Sequence, residues 1–138
     1  MTAAQNKQLL RIVFAETAKG NGEPFVAALA DDVTWTIIGS TPWSKTYRGK
    51  KAVLTELLGP LSAQLANGST ITAHRFIAED DQVVVEARGH NTTRTGKAYQ
   101  NTYCWIFRFN QGQVVELIEY ADTALIESAL QPPEVSSE

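Results

Sequence analysis

The spacing of hydrophobic residues changes near residue 69, from helical periodicity to alternation. Upstream, Leu10, Val13 and Phe14 recur at helical spacing, and so do the leucines between residues 50 and 66. A short run at residues 33–38, VTWTII, has a strong preference for β-structure. The pattern predicts helices at residues 1–20, 23–30, 50–66 (kinked at Gly59-Pro60) and 122–130.

Beyond residue 69, alternating apolar and polar positions are typical of β-strands. Asp80-Asp81, Thr95-Gly96-Lys97 and Gln111-Gly112 are turn sequences that divide this segment. The predicted strands are residues 69–79, 82–93, 98–110 and 113–122. Helices followed by a meander of long strands indicate an α+β fold. Because such strands curl, we expect a cone-shaped antiparallel sheet wrapped around helices, with a ligand pocket at its mouth.

Length and charge narrow the class of protein. The 138 residues, of which 43% are hydrophobic, suffice for one core. We expect a single domain over residues 1–130 and a disordered tail over residues 131–138. A net charge of −3 and a pI near 5.4 argue against nucleic-acid binding, which requires a basic face.

Neither a compartment signal nor a cofactor motif is visible. The single Cys104 excludes an intramolecular disulfide, and no run approaches the ~20 apolar residues that span a bilayer. With no secretory signal, we expect a cytoplasmic protein. No Gly-rich phosphate loop follows a strand, and His74 and His90 lack the spacing of metal ligands, so neither a cofactor nor a metal is expected.

The C-terminal hairpin, residues 99–123, carries acids at every third position: Glu116, Glu119 and Asp122. On a strand of period two these acids cannot share a face. Glu119 falls on an apolar face with Val115, Leu117 and Ala121. A carboxylate on the apolar face of a sheet needs a partner or a chemical role. Asp122, just before the last predicted helix, fits an N-cap, with catalysis as the alternative.

One face of the strand at residues 98–110 is strongly aromatic. Its members are Asn101, Tyr103, Trp105, Phe107 and Phe109. If this face points inward, the pocket is largely apolar. Trp35, Trp43 and Tyr47 are candidates for its mouth, and Trp43, in a Pro-containing loop, serves either as a lid or as ordinary packing.

Four motifs occur in a set order along the chain. They are ADDVTW at residues 30–35, YRGKKAV at 47–53, FRFNQGQV at 107–114 and EYADT at 119–123. In this order and spacing the sequence resembles the nuclear transport factor 2-like superfamily, particularly its SnoaL-like and ketosteroid-isomerase-like branch. The resemblance implies a cystatin-like α+β roll. This fold hosts isomerases, cyclases, epoxide hydrolases and binding modules, so it does not by itself imply an activity.

Ketosteroid isomerase chemistry requires a carboxylate base, together with a tyrosine and a protonated aspartate that hold the dienolate oxygen. The resemblance places the tyrosine at Val13, the base at Ile37 and the aspartate at Trp105. None of these side chains can perform its step. Ketosteroid isomerase activity is therefore not expected.

Other activities of the superfamily retain more of their residues. In limonene-epoxide-hydrolase-like members an arginine lies between two acids, and the resemblance places the arginine at Arg88 and the acids at Glu119 and His90, the last a departure. In the polyketide cyclases the last-strand carboxylate, again at Glu119, transfers protons in an aldol closure. The match of Arg88 implies that the pocket face includes Val84, Glu86, Arg88 and His90.

These residues allow two interpretations. In the first, Glu119, oriented by Arg88, accepts a proton or activates water, while neutral His90 relays or donates a proton. A paired cation would lower the pKa of Glu119, whereas apolar burial would raise it. In the second, the charges satisfy one another as a structural ion pair, and His90 only packs or is solvated.

The sequence thus predicts a cofactor-independent acid/base enzyme of isomerase, cyclase or hydrolase type, acting on a small, apolar, oxygenated molecule. The alternative is a non-catalytic small-ligand-binding or dimerisation module of the same fold. The predicted pocket includes Trp35, Trp43, Tyr47, Glu86, Asn101, Tyr103 and Trp105. The opposite, convex face is assigned Val83, Val85, Ala87, Ile118 and Tyr120. Because that face is also apolar, we expect a homodimer formed through it.

Overall fold

Helices precede a long run of strands in the computed structural model, which describes residues 1–134. The helices are α1 (Ala3–Thr17), α2 (Glu23–Ala28), α3 (Lys50–Ala52), a π-helix (Val53–Leu58), α4 (Gly59–Gln64) and α5 (Thr123–Ala129). The strands are β1 (Leu29–Ile37), β2 (Thr46–Arg48), β3 (Leu65–Ala66), β4 (Ile71–Glu79), β5 (Gln82–Gly89), β6 (Asn91–Thr93), β7 (Ala98–Tyr99), β8 (Thr102–Asn110) and β9 (Gln113–Ala121). The predicted α+β fold is confirmed. Residues 135–138, the end of the tail predicted to be disordered, lie outside the described residues.

Helix α1 begins with a capping box. The Thr2 side chain accepts from the Gln5 backbone N–H at 3.1 Å, and Gln5 Oε1 accepts from the Thr2 backbone N–H at 2.9 Å. The buried stripe of the helix comprises Asn6, Leu10, Val13, Phe14 and Thr17. It packs against β4 and β5. The helix predicted from this periodicity therefore lies against the large sheet.

Six strands form one curved sheet in the order β2-β1-β9-β8-β5-β4. Neighbours are antiparallel except β1 and β9, which run parallel, so the sheet is mixed rather than purely antiparallel. We call the face that carries the buried side chains the inner face. On it, Val85 lies opposite Trp105, and Trp105 lies opposite Glu119. Glu119 is therefore in the middle of the sheet, with β1 on its other side.

The predicted long helix at residues 50–66 is divided at its Gly-Pro pair. The π-helix is closed by a hydrogen bond from the Gly59 N–H to the Leu54 carbonyl, five residues back. Pro60 follows, which has no N–H and whose ring would clash with the carbonyl four residues earlier in a regular helix. The wider π turn accommodates the chain before this proline. The predicted interruption is confirmed, and it takes the form of a π-helix.

Two predicted strands are each broken in two. The strand at residues 82–93 separates at His90 into β5 and β6, and the strand at residues 98–110 separates at Gln100-Asn101 into β7 and β8. Strands β6 and β7 pair with each other, and β6 pairs with β3, in a small second sheet. Together with α5, which contacts β7, this small sheet closes one end of the interior.

The predicted start of β1 is wrong, whereas the predicted start of the helix after β9 is confirmed. Strand β1 begins at Leu29 rather than at residue 33, because an irregular stretch that includes the exposed Asp31 still belongs to it. Asp122 is the N-cap of α5 as predicted, since its Oδ1 accepts from the Leu125 backbone N–H at 3.2 Å.

The outer face of the large sheet carries ion pairs and an apolar row. Arg75 bonds Glu86 at 2.8 Å, and Arg108 bonds Glu116 at 3.4 Å. The apolar row crosses the neighbouring strands at Ile77, Val84, Ile106 and Ile118. In the part of the chain that the structure describes, no helix is long and apolar enough to cross a membrane.

Candidate functional site

Glu119 is a buried acid held by two tryptophans. It lies on β9 between Trp105 of β8 and Ile37 of β1, and only 6% of its surface is exposed. Trp105 Nε1 donates to Glu119 Oε1 at 2.9 Å, and Trp35 Nε1 donates to the same oxygen at 3.2 Å. None of the salt bridges within residues 1–134 includes Glu119. Neutral donors, rather than a cation, orient this carboxyl group.

Burial shifts the acidity of Glu119 towards neutrality. Desolvation raises its pKa to about 7 from an ordinary value of 4.5, while the hydrogen bonds from Trp105 and Trp35 act in the opposite direction. A charged form that loses its water without gaining a cation is disfavoured, which is the physical cause of the rise. Near neutral pH the group can therefore either donate or accept a proton.

The second carboxyl oxygen of Glu119 is left for other partners. Both indoles bond to Oε1. Within residues 1–134, the one fully buried side-chain polar atom that lacks a partner is Asn6 Oδ1. Glu119 Oε2 is therefore not sealed in the core, and it is reachable from the cavity that Glu119 lines.

An outer cavity of about 700 Å³ lies between α1, α2, the π-helix and the large sheet. Phe14, Phe25, Trp35 and Trp105 form aromatic walls. The cavity also reaches Gly22, which is exposed, so it opens to solvent there. Its size falls in the range of small-molecule sites.

An inner cavity of about 100 Å³ adjoins the first. Its polar lining includes Asn91, Tyr99, Tyr103 and Glu119, and α5 contributes Ile126. Six residues line both cavities: Trp35, Leu58, Ser62, Ser69, Ile71 and Trp105. The two cavities therefore meet at the pair of indoles that hold Glu119.

Aromatic packing fixes these indoles. Trp105 stacks on Tyr103 with ring centroids 4.5 Å apart and on Phe14 at 5.6 Å. Trp35 packs against Phe25 at 5.6 Å. Close contacts on both sides restrict the rotamers of large rings, so the two N–H groups point at Glu119 before any ligand arrives.

The two phenols of the inner cavity remain neutral. Burial raises the pKa of Tyr103 well above its ordinary range, and nearby Tyr99 and Glu119 raise it further. Burial also raises the pKa of Tyr99, although a hydrogen bond from Asn101 works against the rise. Neither phenol is thus a base at neutral pH. The Tyr103 hydroxyl is hydrogen-bonded to that of Tyr99, which also accepts from Asn101 Nδ2 at 3.1 Å.

The predicted partners of Glu119 are on the other side of the sheet. Arg88 and His90 are exposed, and Glu86 bonds Arg75 on the outer face. The inner positions of β5 are instead Val83, Val85 and Ala87, which had been assigned to the convex face. The predicted pocket face of this strand is therefore wrong, because its two faces are exchanged. The predicted pairing of Glu119 with Arg88 and His90 is also wrong, because the sheet lies between these side chains.

Among the other predicted pocket residues, Trp35, Tyr103 and Trp105 line the cavities, and so does Trp43. Trp43 is 3% exposed and donates its Nε1–H to the Gln131 carbonyl at 3.0 Å. These contacts favour ordinary packing in the cavity wall over a lid.

Asn101 and Tyr47 are buried but line neither cavity. Asn101 Oδ1 accepts from the Asp122 N–H at 2.9 Å, and Asn101 Nδ2 donates to the Asp122 carbonyl at 3.3 Å. The Tyr47 hydroxyl donates to the Trp43 carbonyl at 2.8 Å. Both side chains are thus hydrogen-bonded to backbone groups. The prediction that Asn101 and Tyr47 line the pocket is not supported.

Two residues of the inner cavity, Asn91 and Tyr99, were missed from the sequence. Both belong to the small sheet, whose strands were taken as continuations of β5 and β8. In the structure Asn91, Thr93 and Tyr99 are all buried, but no turn residue in the sequence marks the breaks that place them there.

The curved sheet closed around helices is a nuclear transport factor 2-like fold. A family model of the SnoaL-like domain matches residues 10–117, and the chain belongs to this family. The predicted resemblance is confirmed. No curated protein matches the sequence.

Solved structures support the fold. An NTF2-like protein from Burkholderia thailandensis has a TM-score of 0.78 and 22% identity, covering 96% of this chain and 99% of that one. A LEH-like epoxide hydrolase from M. tuberculosis has a TM-score of 0.69 and 19% identity, covering 88% and 86%. TerC, co-crystallised with polyporic acid, has a TM-score of 0.73 and 17% identity, covering 89% and 95%. At these identities the likeness concerns the fold alone.

Proposed function

We propose that this protein is a cofactor-independent enzyme that performs acid/base chemistry on a small, largely apolar, oxygenated molecule. Glu119 is the proton-transfer group, and the substrate occupies the outer cavity. Trp35 and Trp105 are positioning residues, because they hold the carboxyl group through its Oε1.

The observation that carries the proposal is the state of Glu119. A fully desolvated carboxyl with a pKa near 7 and one oxygen open to a cavity has the properties of a general acid or base. Aromatic and aliphatic walls favour an apolar substrate body. Among proteins of this fold, one is a LEH-like epoxide hydrolase, and another, TerC, was co-crystallised with polyporic acid.

The alternative is a non-catalytic ligand-binding module. The double indole bond to Glu119 favours it, because a buried carboxyl that is satisfied by two donors also serves a structural purpose. The two functions differ in turnover: a binding module retains a ligand unchanged.

Glu119→Gln tests the proposal. Gln keeps the side-chain shape and an oxygen for the indoles but cannot transfer a proton. The wild type and the variant are incubated with a panel of small epoxides, enones and polyphenols, and products are followed by mass spectrometry. Conversion by the wild type that falls at least about 100-fold in the variant supports the proposal.

Glu116→Gln is the matched control, because Glu116 lies on the same strand with its side chain partly exposed on the outer face. It is expected to retain wild-type turnover. Equal turnover by wild type and Glu119→Gln would contradict the role of Glu119. Binding of panel members without conversion by either protein would favour the binding module.

We also infer a homodimer formed through the outer face of the large sheet. Its apolar row crosses four strands, and Ile77 and Tyr120 on this face are 53% and 45% exposed. Apolar residues in adjacent strands form a continuous patch, and a second copy is the simplest partner that would cover it.

A further inference from the structure

Asn91 presents an unused donor to the inner cavity. It is 6% exposed, and its Oδ1 accepts from the Thr70 backbone N–H at 2.7 Å, which fixes the orientation of the amide. No acceptor for its Nδ2 is found within residues 1–134, yet this atom is not among the sealed, unpaired ones. The Nδ2 group is therefore reachable from the cavity that Asn91 lines.

The backbone at Gly89 makes room for this amide. A Cβ at position 89 would lie 3.1 Å from Asn91 Nδ2 and 3.5 Å from the ring of Tyr103. A Cβ here would press on the amide, because 3.1 Å is tighter than ordinary contact, and it would only touch the ring. A glycine here lets the amide and the phenol ring approach each other across the cavity wall.

The inner cavity is much the smaller of the two. It has a volume of about 100 Å³, whereas the outer cavity, at about 700 Å³, falls in the size range of small-molecule sites. An elongated molecule could place its body in the outer cavity and a terminal group of a few atoms in the inner one.

The polar groups of the inner cavity select the charge of that terminal group. Its lining contains no Lys, Arg or His, and its one ionisable acid is Glu119. An anionic group would lose its water without gaining a cation. A cationic group would face the N–H dipole of Asn91, and its one counter-ion in the lining, Glu119, is mostly protonated below pH 7. A neutral acceptor instead gains a hydrogen bond from Asn91 Nδ2.

We infer that the inner cavity is a subsite for the neutral carbonyl end of an elongated, apolar ligand, with Asn91 Nδ2 as the donor beside Glu119. This inference rests on the proposed function for the position of Glu119 and goes beyond it in naming the substrate class. The apolar body of the ligand lies in the outer cavity, between Phe14, Phe25 and the two indoles.

Four probes with one biphenyl body test the subsite by isothermal titration calorimetry: 4-acetylbiphenyl, 4-ethylbiphenyl, biphenyl-4-carboxylate and 4-(aminomethyl)biphenyl. The ketone is expected to bind at least about tenfold more tightly than the hydrocarbon, the carboxylate and the amine, because one buried hydrogen bond is worth about that factor. Equal affinity of ketone and hydrocarbon, tighter binding of an ionic probe, or no binding of any probe would overturn the subsite.

The Asn91→Asp variant tests whether Asn91 Nδ2 is the donor to the ketone. Asp keeps an oxygen for Thr70 but replaces the N–H donor by an acceptor, so affinity for the ketone should fall about tenfold while affinity for the hydrocarbon stays within about twofold. If this variant does not fold, Asn91→Ala removes the same N–H donor without adding a charge, and the same difference between ketone and hydrocarbon is expected. Unchanged ketone affinity in the folded variants would contradict the assignment.

Binding measurements test the carbonyl subsite, whereas turnover measurements test the proposed function, so the two can fail separately. The calorimetric series needs no conversion, so the subsite stands if the probes bind as expected and Glu119→Gln has no effect on any reaction. Conversely, conversion that depends on Glu119, together with equal affinity of ketone and hydrocarbon, would retain the enzyme and overturn the carbonyl subsite.

Discussion

Trp105 and Glu119 lie directly opposite each other on β8 and β9, and the indole donates to the carboxyl at 2.9 Å. The hydrogen bond is possible because a bulge shifts the hairpin register between Arg108 and Phe109. Without that shift, the turn pairing of Asn110 with Gln113 would place Ile118 opposite Trp105. A one-residue irregularity near the turn therefore brings the buried acid to its donor.

The stability of the protein should depend on the ionisation of Glu119. Its pKa is about 7 in the folded chain and 4.5 in the reference state, so the folded state binds more protons between these values. Stability is then highest below about pH 4.5 for this group and falls as pH rises through 7. The difference between the folded and the reference pKa corresponds to a loss of about 3 kcal/mol in the free energy of unfolding.

Urea unfolding of the wild type and of Glu119→Gln at pH 5 and pH 8.5 checks this effect. Because the effects of the other ionisable groups cancel in the comparison, the variant should gain about 2 to 3 kcal/mol of stability relative to the wild type between pH 5 and pH 8.5. A difference between the two proteins that does not change with pH would show that Glu119 titrates as an ordinary, exposed acid.

Removing an indole donor should raise the pKa of Glu119 further. Both hydrogen bonds favour the ionised form, and that from Trp105 is the shorter and the stronger contributor. Trp105→Phe should therefore shift the titration of Glu119 to higher pH, and Trp35→Phe should shift it less. Carboxyl ¹³C NMR of both variants gives the order, and a downward shift in either would contradict the geometry.

Asn101 should be important for stability rather than for binding. It is fully buried and joins the start of β8 to Asp122 at the end of β9. Asn101→Ala leaves buried backbone groups without partners and should cost about 2 to 3 kcal/mol in urea unfolding. Gln100→Ala, exposed and adjacent, is the control and should change stability by less than about 0.5 kcal/mol.

Gly59→Ala should destabilise the protein, although the same change normally stabilises a helix by about 1 kcal/mol. A Cβ at position 59 would lie 2.9 Å from the Leu54 carbonyl oxygen, the acceptor of the π-helical bond. We expect a loss of at least about 1 kcal/mol in urea unfolding. Ser62→Ala, exposed on the same helix, serves as the control, and a gain of stability in Gly59→Ala would exclude the wide turn.

The outer face can be tested as a dimer interface by sedimentation. The wild type should have about twice the 15.1 kDa of one chain at micromolar concentration. Ile106→Asp places a charge in the centre of the apolar row and should give the monomer. Ile12→Asp, on the exposed side of α1, should leave the mass unchanged, and a monomeric wild type would refute the interface.

The fold was predictable because its signals are local. Helical spacing at Leu10, Val13 and Phe14, turn residues between the strands and the N-cap at Asp122 each act within a few residues. The interior position of Glu119 also followed from alternation. In β5, however, Val83, Val85 and Ala87 are the more apolar set, and alternation alone would have placed them inside. Matching Arg88 to an arginine of related enzymes reversed the two faces.

The partners of Glu119 could not be predicted, because they depend on long-range geometry. Trp35 is 84 residues away in sequence and meets Glu119 through a parallel pairing of β1 with β9. Trp105 reaches it only through the bulge. The inner cavity depends on chain breaks at His90 and Asn101, across which the alternation continues without a turn signal.

The titration of Glu119 is the most direct test of the proposed acid/base role. Carboxyl ¹³C NMR of the Glu-labelled protein, with the signal assigned from its absence in Glu119→Gln, reports this group alone. A midpoint near pH 7 is expected, because a buried carboxyl without a cation resists ionisation. A midpoint at or below pH 4.5 would contradict the role, since the group would then be fully ionised at neutral pH and too weak a base to accept a proton efficiently.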